Sequence, residues 1–184
     1  MKSLPAPRPS SALRRSVVAA TVLLGLALAG CGSSAPGVVA YVGKDQISQS
    51  EVDRAVAGLS STLEEGQTVS NEAVVNAMIQ GALADQIAAD RGIAVTDADR
   101  EKVLTGTNLA GLVTVPDAKA VAYDVADSAI VSEKVGSEAY LAEIEKRKVV
   151  LNPRFGVLDP KQKTIVTDQS GSLSLPAAPA AATP

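Results

Sequence analysis

Aliphatic side chains must build any core in this chain, because aromatic side chains are almost missing from it. The 184 residues include three tyrosines, one phenylalanine and no tryptophan. Valine, leucine, isoleucine and alanine let helices approach closely, but each of them buries little area. Burial of one methylene group contributes only roughly 0.8 kcal/mol to stability. The composition therefore predicts closely packed helices of modest stability. The aromatic residues are Tyr41, Tyr123, Tyr140 and Phe155.

Histidine is absent from the sequence, and cysteine occurs once, at Cys31. The lack of histidine excludes Ser-His-Asp and Cys-His catalysis, histidine general bases and histidine metal ligands. A single cysteine has no disulfide partner within the chain, so the domain must fold on its core alone. Carboxylate and lysine chemistry are the possibilities that remain.

The N-terminal segment has the pattern of an export signal. Arg8, Arg14 and Arg15 precede the apolar run Val17–Leu28. A run of about a dozen residues is too short to span a bilayer as a helix, which takes about 20. A basic start, a short apolar centre and small residues at its end are typical of a cleaved signal.

The sequence Leu28-Ala29-Gly30-Cys31 resembles the lipobox of bacterial lipoproteins. That resemblance implies that residues 1–30 are a signal peptide and that Cys31 carries a diacylglycerol, with palmitate among the acyl chains. The protein would then be anchored to the cell membrane on its extracytoplasmic face by acyl chains. Residues 31–37, rich in Gly, Ser and Pro, would form a flexible tether. A plain secretory signal with a spare cysteine and an N-terminal membrane anchor remain as alternatives.

The charge balance argues against nucleic acid as a partner. The first 30 residues carry four basic and no acidic side chains, so their removal changes the formal net charge from −3 to −7. Nucleic-acid binding needs a basic surface. The same acidic balance argues against a surface that binds anionic lipid head groups unaided.

The first half of the chain predicts a hairpin and three helices. A strand at Val38–Val42, a turn at Gly43-Lys44 and a short arm at 45–47 precede the capping-box pattern of Ser48 and Glu51. The first helix then presents Val52, Ala55, Val56, Leu59 and Leu63, and ends at Glu64-Glu65-Gly66. A second helix runs from about Ser70 or Asn71 to Arg91-Gly92, and Thr96 caps a third one.

The second half predicts a weakly patterned stretch over residues 105–114, two more helices and a strand. Pro116-Asp117 begins a long helix, Ser137 caps a shorter one, and that helix ends at Lys146-Arg147-Lys148. A strand at 149–157 bends or lies at a sheet edge at Pro153. The predicted buried positions of the two helices are Val121, Ala122, Val125, Ala129, Val135, Tyr140, Leu141 and Ile144.

Because strands occur at both ends of this region, we expect them to pair. The predicted fold is mostly α (α+β): a helical domain over residues 38–160 with a small sheet formed by its N- and C-terminal strands. Residues 161–184 turn polar and then rich in proline and alanine, which predicts a disordered tail.

Residues 39–53 resemble the opening of the SurA/PrsA-type extracytoplasmic chaperones. Residues 149–156, with Asn152-Pro153-Arg154-Phe155-Gly156, resemble the returning strand of SurA-like lipoproteins of high-GC Gram-positive bacteria. The resemblance implies a SurA N-terminal-like helical domain over about residues 38–160. The turn Gly43-Lys44 replaces the family's usual Asn-Gly, so the positive-φ position is expected to shift to Gly43. Many relatives carry a parvulin prolyl isomerase domain, which needs about a hundred further residues. The resemblance therefore does not carry isomerase activity to this chain.

The charged candidates for a site all have simpler explanations. The pairs Asp97/Asp99 and Glu143/Glu145 fit helix capping and a solvated helix face. Lys44 fits a solvated turn, and Arg154 could meet a carboxylate or stack along the edge strand. No Ca²⁺-loop motif occurs. Because each charged candidate has a structural explanation, we predict no catalytic residue, metal or cofactor. The remaining acids that we weighed, with the same interpretation, are Asp85, Asp90 and Asp124.

These observations favour a lipid-anchored chaperone-like (foldase-like) protein that binds unfolded or partly folded envelope or secreted proteins. Affinity would come from desolvated aliphatic surface. The stretch 109–113 is a candidate mobile lip of the binding groove, or an ordinary loop that fills the core. The alternative is a structural or assembly lipoprotein that binds one specific envelope partner, and the breadth of clients separates the two. An enzyme is the weakest hypothesis.

Overall fold

The structure, a computed structural model, describes residues 36–166 and is mostly helical. Within this range lie five α-helices, two 3-10 helices and five short strands, which confirms the predicted mostly-α fold. The described residues belong to one compact unit. In the described part, no helix combines the length and the apolar character needed to cross a membrane. The predicted signal peptide and Cys31 lie outside the described residues.

The three-stranded sheet joins the two ends of the helical region. Strand β1 (Val38–Val42) is central and pairs antiparallel with β2 (Asp45–Ser48) and with β3 (Val149–Leu151). Gly43 takes the positive φ of 60° at the turn, and its N–H donates to the carbonyl of Lys148 at 2.8 Å. The predicted pairing of the first and last strands and the shifted glycine position are confirmed.

Helix α1 (Gln49–Ser60) begins as predicted and ends early. The Ser48 side chain and the Glu51 carboxylate form a reciprocal capping box. At the other end, the hydroxyls of Ser61 and Thr62 donate to the last helical carbonyls, at 2.6 and 2.7 Å. These hydroxyls satisfy groups that a longer helix would have bonded. The prediction that the helix reaches Glu64-Glu65-Gly66, with Leu63 on its apolar face, was therefore wrong.

Helices α2 (Asn71–Arg91) and α3 (Asp97–Leu104) have the predicted caps. The Ser70 hydroxyl accepts from the Ala73 N–H, and Gly92 ends α2 with φ 64°. Thr96 and Asp99 form a second capping box at α3. The weakly patterned stretch that follows contains a 3-10 helix at Ala110–Thr114.

Helix α4 (Pro116–Val135) lies against α1, α2 and α3. Val121 and Ala122 are buried as predicted, whereas Val125 and Ala129 are exposed. Because neighbours cover both flanks of α4, its buried face is wider than the one we predicted and is turned away from Val125 and Ala129. The buried stripe consists of Ala118, Val121, Ala122, Ala126, Asp127, Ile130 and Val131.

Helix α5 (Ser137–Lys146) follows α4 after a single residue. Gly136 makes this corner with φ 86° and is itself the N-cap position, with no side-chain cap. The prediction that Ser137 caps the helix was wrong, because the one-residue corner places Ser137 already inside the first turn. Tyr140 and Ile144 are buried as predicted, but Leu141 is 51% exposed, since it lies about 100° around the helix from Tyr140.

The chain after β3 is ordered differently from the prediction. The Asn152 side chain caps a 3-10 helix at Pro153–Phe155, accepting from the Arg154 N–H at 3.1 Å. The predicted continuous strand over 149–157 was therefore wrong at its centre. Strands β4 (Val157–Leu158) and β5 (Ile165–Val166) then pair antiparallel.

The β4–β5 ribbon corrects the predicted start of the tail at residue 161. The Ile165 N–H donates to Asn76 Oδ1 at 2.6 Å, and Gln80 Nε2 donates to the Gln162 carbonyl at 3.0 Å. These bonds fix the segment to α2, so regular structure continues to Val166. Residues 167–184, which hold the rest of the predicted tail, lie outside the described range.

Within residues 36–166 the core consists of two apolar clusters. One joins the sheet, α1, α2, α5 and one side of α4, with Ile79, Leu83 and Ile87 among its fully buried side chains. The other joins the end of α3, the first 3-10 helix and the alanine stripe of α4. Leu59 packs against both clusters. The seam between them leads to the candidate site.

Candidate functional site

An open apolar groove of about 180 Å³ lies along the seam between the two core clusters. Its walls come from the end of α1, the start of α2, the first 3-10 helix and the middle of α4. All of its lining side chains are valine, leucine or alanine. They are Leu59, Val69, Ala73, Val74, Ala77, Leu109, Leu112, Val121, Ala122 and Val125.

The groove has a buried floor and an exposed rim. Val74, Leu112 and Ala122 are buried at its base, whereas Val125 is 38% exposed and Ala73 is exposed at its edge. Ligand pockets for small molecules usually measure about 300–1,000 Å³. This groove is smaller, so it suits one or two aliphatic side chains of a longer chain rather than a whole cofactor.

Small residues on neighbouring helices create this geometry. A Cβ atom at Gly58 would lie 2.7 Å from the backbone nitrogen of Ala118, so α1 and α4 approach more closely than a residue with a side chain at position 58 would permit. The stretch 109–113, predicted as a lip or as a core-filling loop, serves in part as each. Leu112 is buried, while Leu109 is half-buried and also lines the groove. The mobility of this stretch stays a prediction.

Where α3 packs on α4, a buried ion pair joins the two helices. Arg100 on α3 donates from Nε to Asp127 Oδ1 at 2.7 Å and from Nη2 to Oδ2 at 3.0 Å. Asp127 is only 4% exposed. Arg100 Nη1 also donates to Asp97 Oδ1 at 2.8 Å, and its guanidinium lies 5.1 Å from the ring centre of Tyr123. Two carboxylates and an aromatic ring thus share one cation.

Asp124 lies where α4 packs directly on the backbone of α2. A Cβ atom at Gly81 would be 2.4–2.5 Å from atoms of the Asp124 side chain, so only glycine leaves room there. Burial raises the pKa of the Asp124 carboxyl to about 8, and the nearby carboxylates of Asp85 and Asp127 raise it further in the same direction. We predicted Asp124 to be a solvated helix residue, and that prediction was wrong.

A polar depression of about 550 Å³ lies between the hairpin turn, α2 and the end of α5, and Lys44, Asp85 and Asp90 are among the residues that line it. Gln86 Nε2 donates to the Val42 carbonyl at 2.9 Å and to Asp45 Oδ2 at 2.8 Å. Arg147 Nη2 donates to Asp90 Oδ2 at 2.8 Å. These bonds tie the hairpin and the chain after α5 to α2, so we assign the depression a structural role.

The other charged candidates have structural contacts or are exposed. Asp99 accepts from the hydroxyl and the N–H of Thr96, and these hydrogen bonds lower the pKa of its carboxyl. Glu143 forms ion pairs with Arg91 and Lys146, which hold its pKa below the usual range. Glu145 and Arg154 are exposed. Among residues 36–166, no three His, Cys, Asp or Glu side chains are placed to hold a metal ion.

Sequence reasoning missed Gly81, Arg100 and Asp127. A glycine in the middle of a long helical pattern indicates a close approach of another backbone, and Gly81 carried that signal. Asp127 follows Ala126 within the buried stripe of α4, and an acid at such a position requires a cationic partner. Nothing in the local pattern of α3 identified Arg100 as that partner, since the two residues are brought together only by packing.

A family model matches part of this chain. The model of the family described as the SurA-like N-terminal domain matches residues 11–108, just over half of the chain. The matched segment includes the hairpin and helices α1 to α3, and thus two walls of the groove. No curated protein and no solved structure matches the chain.

Proposed function

The chain belongs to the SurA-like N-terminal domain family, and from this we propose that it binds unfolded or partly folded envelope or secreted proteins without changing any covalent bond. The family is chaperone-like, and this domain is its non-catalytic part. The observation that carries the proposal is the aliphatic groove, because a chaperone of this kind needs apolar surface that its own core does not cover.

The size of the groove supports weak, reversible binding. Full burial of one aliphatic side chain contributes about 1.5–3 kcal/mol, whereas micromolar affinity requires about 8 kcal/mol. One or two side chains in the groove therefore give brief contacts that any aliphatic segment could make. Such contacts slow the association of unfolded chains without committing to one sequence.

We propose further that Cys31 is lipidated and anchors the protein on the extracytoplasmic face of the membrane. The support is the basic, apolar and small-residue pattern of residues 8–31. Cells fed an alkyne-bearing palmitate should label the wild-type protein and leave a Cys31→Ser variant unlabelled. Label on the variant would overturn the assignment of Cys31.

The binding function is tested on residues 32–184, produced without lipid. We expect them to reduce light scattering when several unrelated, chemically unfolded proteins are diluted into buffer. Suppression confined to a single envelope protein would instead support the assembly lipoprotein. Failure with every client, while circular dichroism shows a folded domain, would overturn the chaperone proposal.

A matched pair of variants ties the activity to the groove. Val125→Asp places a carboxylate on the exposed rim, whereas Leu141→Asp makes the same change at an exposed leucine of α5 outside the groove. The first should raise the concentration needed for half-suppression about five- to tenfold, as expected for losing a fraction of one aliphatic contact. The second should leave it unchanged. Equal losses would show that clients bind elsewhere.

A further inference from the structure

We propose that the Asp124 carboxyl is a proton-controlled latch between α2 and α4, which keeps the apolar groove narrow when protonated and lets it open when ionised. The inference rests on the proposed function, because it takes the groove as the binding surface. Its physical basis is that the latch and the groove share the same two helices.

The latch lies next to the groove on each helix. On α4, Asp124 falls between the groove residues Val121 and Val125. On α2, Gly81 follows the groove residue Ala77 by about one turn. A change in the separation of the helices at Gly81 must therefore change the distance between the groove walls.

The contact at Gly81 tolerates a neutral carboxyl better than a charged one. The side chain of Asp124 touches the α2 backbone so closely that a Cβ atom could not fit between them. Asp124 is half-buried there. A neutral acid tolerates this partial loss of water at modest cost, whereas a carboxylate needs more water or a cation. Burial accordingly raises the pKa of Asp124 to about 8.

The groups that act on Asp124 do not supply a free cation. Asp85 on α2 and Asp127 on α4 raise its pKa, and Arg100 on α3 lowers it. Arg100 is already shared by Asp127 and Asp97. On α5, Tyr140 is buried, and burial raises the pKa of its hydroxyl. This hydroxyl therefore remains neutral between pH 6 and pH 9.

Ionisation of Asp124 therefore places a third carboxylate beside Asp85 and Asp127. Mutual repulsion and the need to hydrate the new charge both favour separation of α2 from α4. Separation uncovers groove residues that are buried in the closed state, Val74 and Ala122 among them. We expect affinity for apolar segments to rise by about fivefold between pH 6 and pH 9, at the low end of usual coupling between sites.

The test follows two readouts on residues 32–184. Carboxyl ¹³C chemical shifts report the titration of Asp124, and the fluorescence of an anilinonaphthalene dye reports apolar binding from pH 6 to pH 9. The wild type should show the Asp124 titration and a parallel rise in dye affinity. Asp124→Asn should bind weakly at every pH, and Glu133→Gln, which removes an exposed acid from the same helix, should behave as the wild type.

The possible results distinguish a failure of the proposed latch from a failure of the proposed function. Titration of Asp124 near pH 4, or dye affinity that stays flat or falls with pH, overturns the latch. A pH response that survives in Asp124→Asn also overturns it. If Asp124 titrates as expected but unfolded proteins are not held at any pH, the proposed function fails, and a dye response that follows the titration would still support the latch.

Discussion

The two halves of the α2–α4 interface solve the packing of one helix pair in opposite ways. Near the start of α2, Ala73, Val74 and Ala77 face an aliphatic stretch of α4 and leave an open groove. Further along, Gly81 brings the backbones so close that Asp124 is pressed against α2. The apolar half contains a cavity and no charged side chain among its lining residues, whereas the polar half contains charged side chains and is closely packed at Gly81.

This difference determines what each half can do. The hydrophobic effect is non-directional, so the apolar half can bind varied aliphatic side chains without selecting among them. Buried charges require defined partners, so the polar half fixes one arrangement of α2, α3 and α4. While Asp124 is protonated, the polar half thereby holds the walls of the apolar half close together.

The largest effect is expected from removing the cation of the polar half. Arg100→Met leaves Asp127 buried without its partner and should lower the free energy of unfolding by about 3–5 kcal/mol. Urea denaturation followed by circular dichroism measures it. Arg91→Met breaks an exposed pair with Glu143 and should cost no more than about 1 kcal/mol. Similar losses in the two variants would remove the distinction between a buried and a surface pair.

Neutralising Asp124 should stabilise the protein and remove a pH dependence. The pKa of this group is raised in the folded state to about 8, so the folded protein holds a proton that the unfolded chain releases above about pH 4. Stability then falls as pH rises from about 4 to 8. Asp124→Asn should lack this slope and be more stable by about 2–4 kcal/mol at pH 8. Parallel stability curves for the two proteins would contradict the raised pKa.

The close contact at Gly81 gives a smaller effect whose sign is informative. Alanine normally stabilises a helix interior relative to glycine by about 0.5–1 kcal/mol. Gly81→Ala should instead destabilise the protein by about 1–3 kcal/mol, because its methyl group overlaps Asp124. In an Asp124→Ala background, the same change should become neutral or favourable by thermal denaturation. A penalty that persists there would place the clash elsewhere.

The smallest effect on stability is expected in the apolar half. Val125→Ser removes a partly exposed side chain at the rim and should change the free energy of unfolding by no more than about 0.5 kcal/mol. The same variant should bind an apolar dye less strongly, as measured by fluorescence titration. A large loss of stability would mean that the rim belongs to the core and that the groove is closed.

The sequence predicted the parts of the fold that local chemistry controls. The capping boxes at Ser48 and Thr96, the glycine stop at Gly92 and the paired end strands were all found as predicted. Each of these depends on residues within a few positions of one another, or on a strand pattern that needs a partner. Errors arose where a neighbouring element decides burial, as for Val125 and Leu141.

The sequence predicted the apolar character of the candidate site and did not predict its position. The lack of histidine and the aliphatic composition already favoured an apolar surface over a catalytic centre, and the stretch 109–113 was identified as a possible lip. The position of the groove depends on where α1 ends and on how closely α4 approaches α1 and α2. Those distances follow from Gly58 and Gly81, whose effect exists only once the partner helix is in place.

By itself the sequence determined the helical class, the caps, the pairing of the end strands and the family to which the domain belongs. These are properties of short segments and of composition, which act before the chain is folded. Tertiary structure decided which aliphatic side chains remain open, and it placed Asp124 against α2 and Asp127 against Arg100. The reason is that burial and the pKa of a buried acid depend on atoms from other helices, which no single stretch of sequence contains.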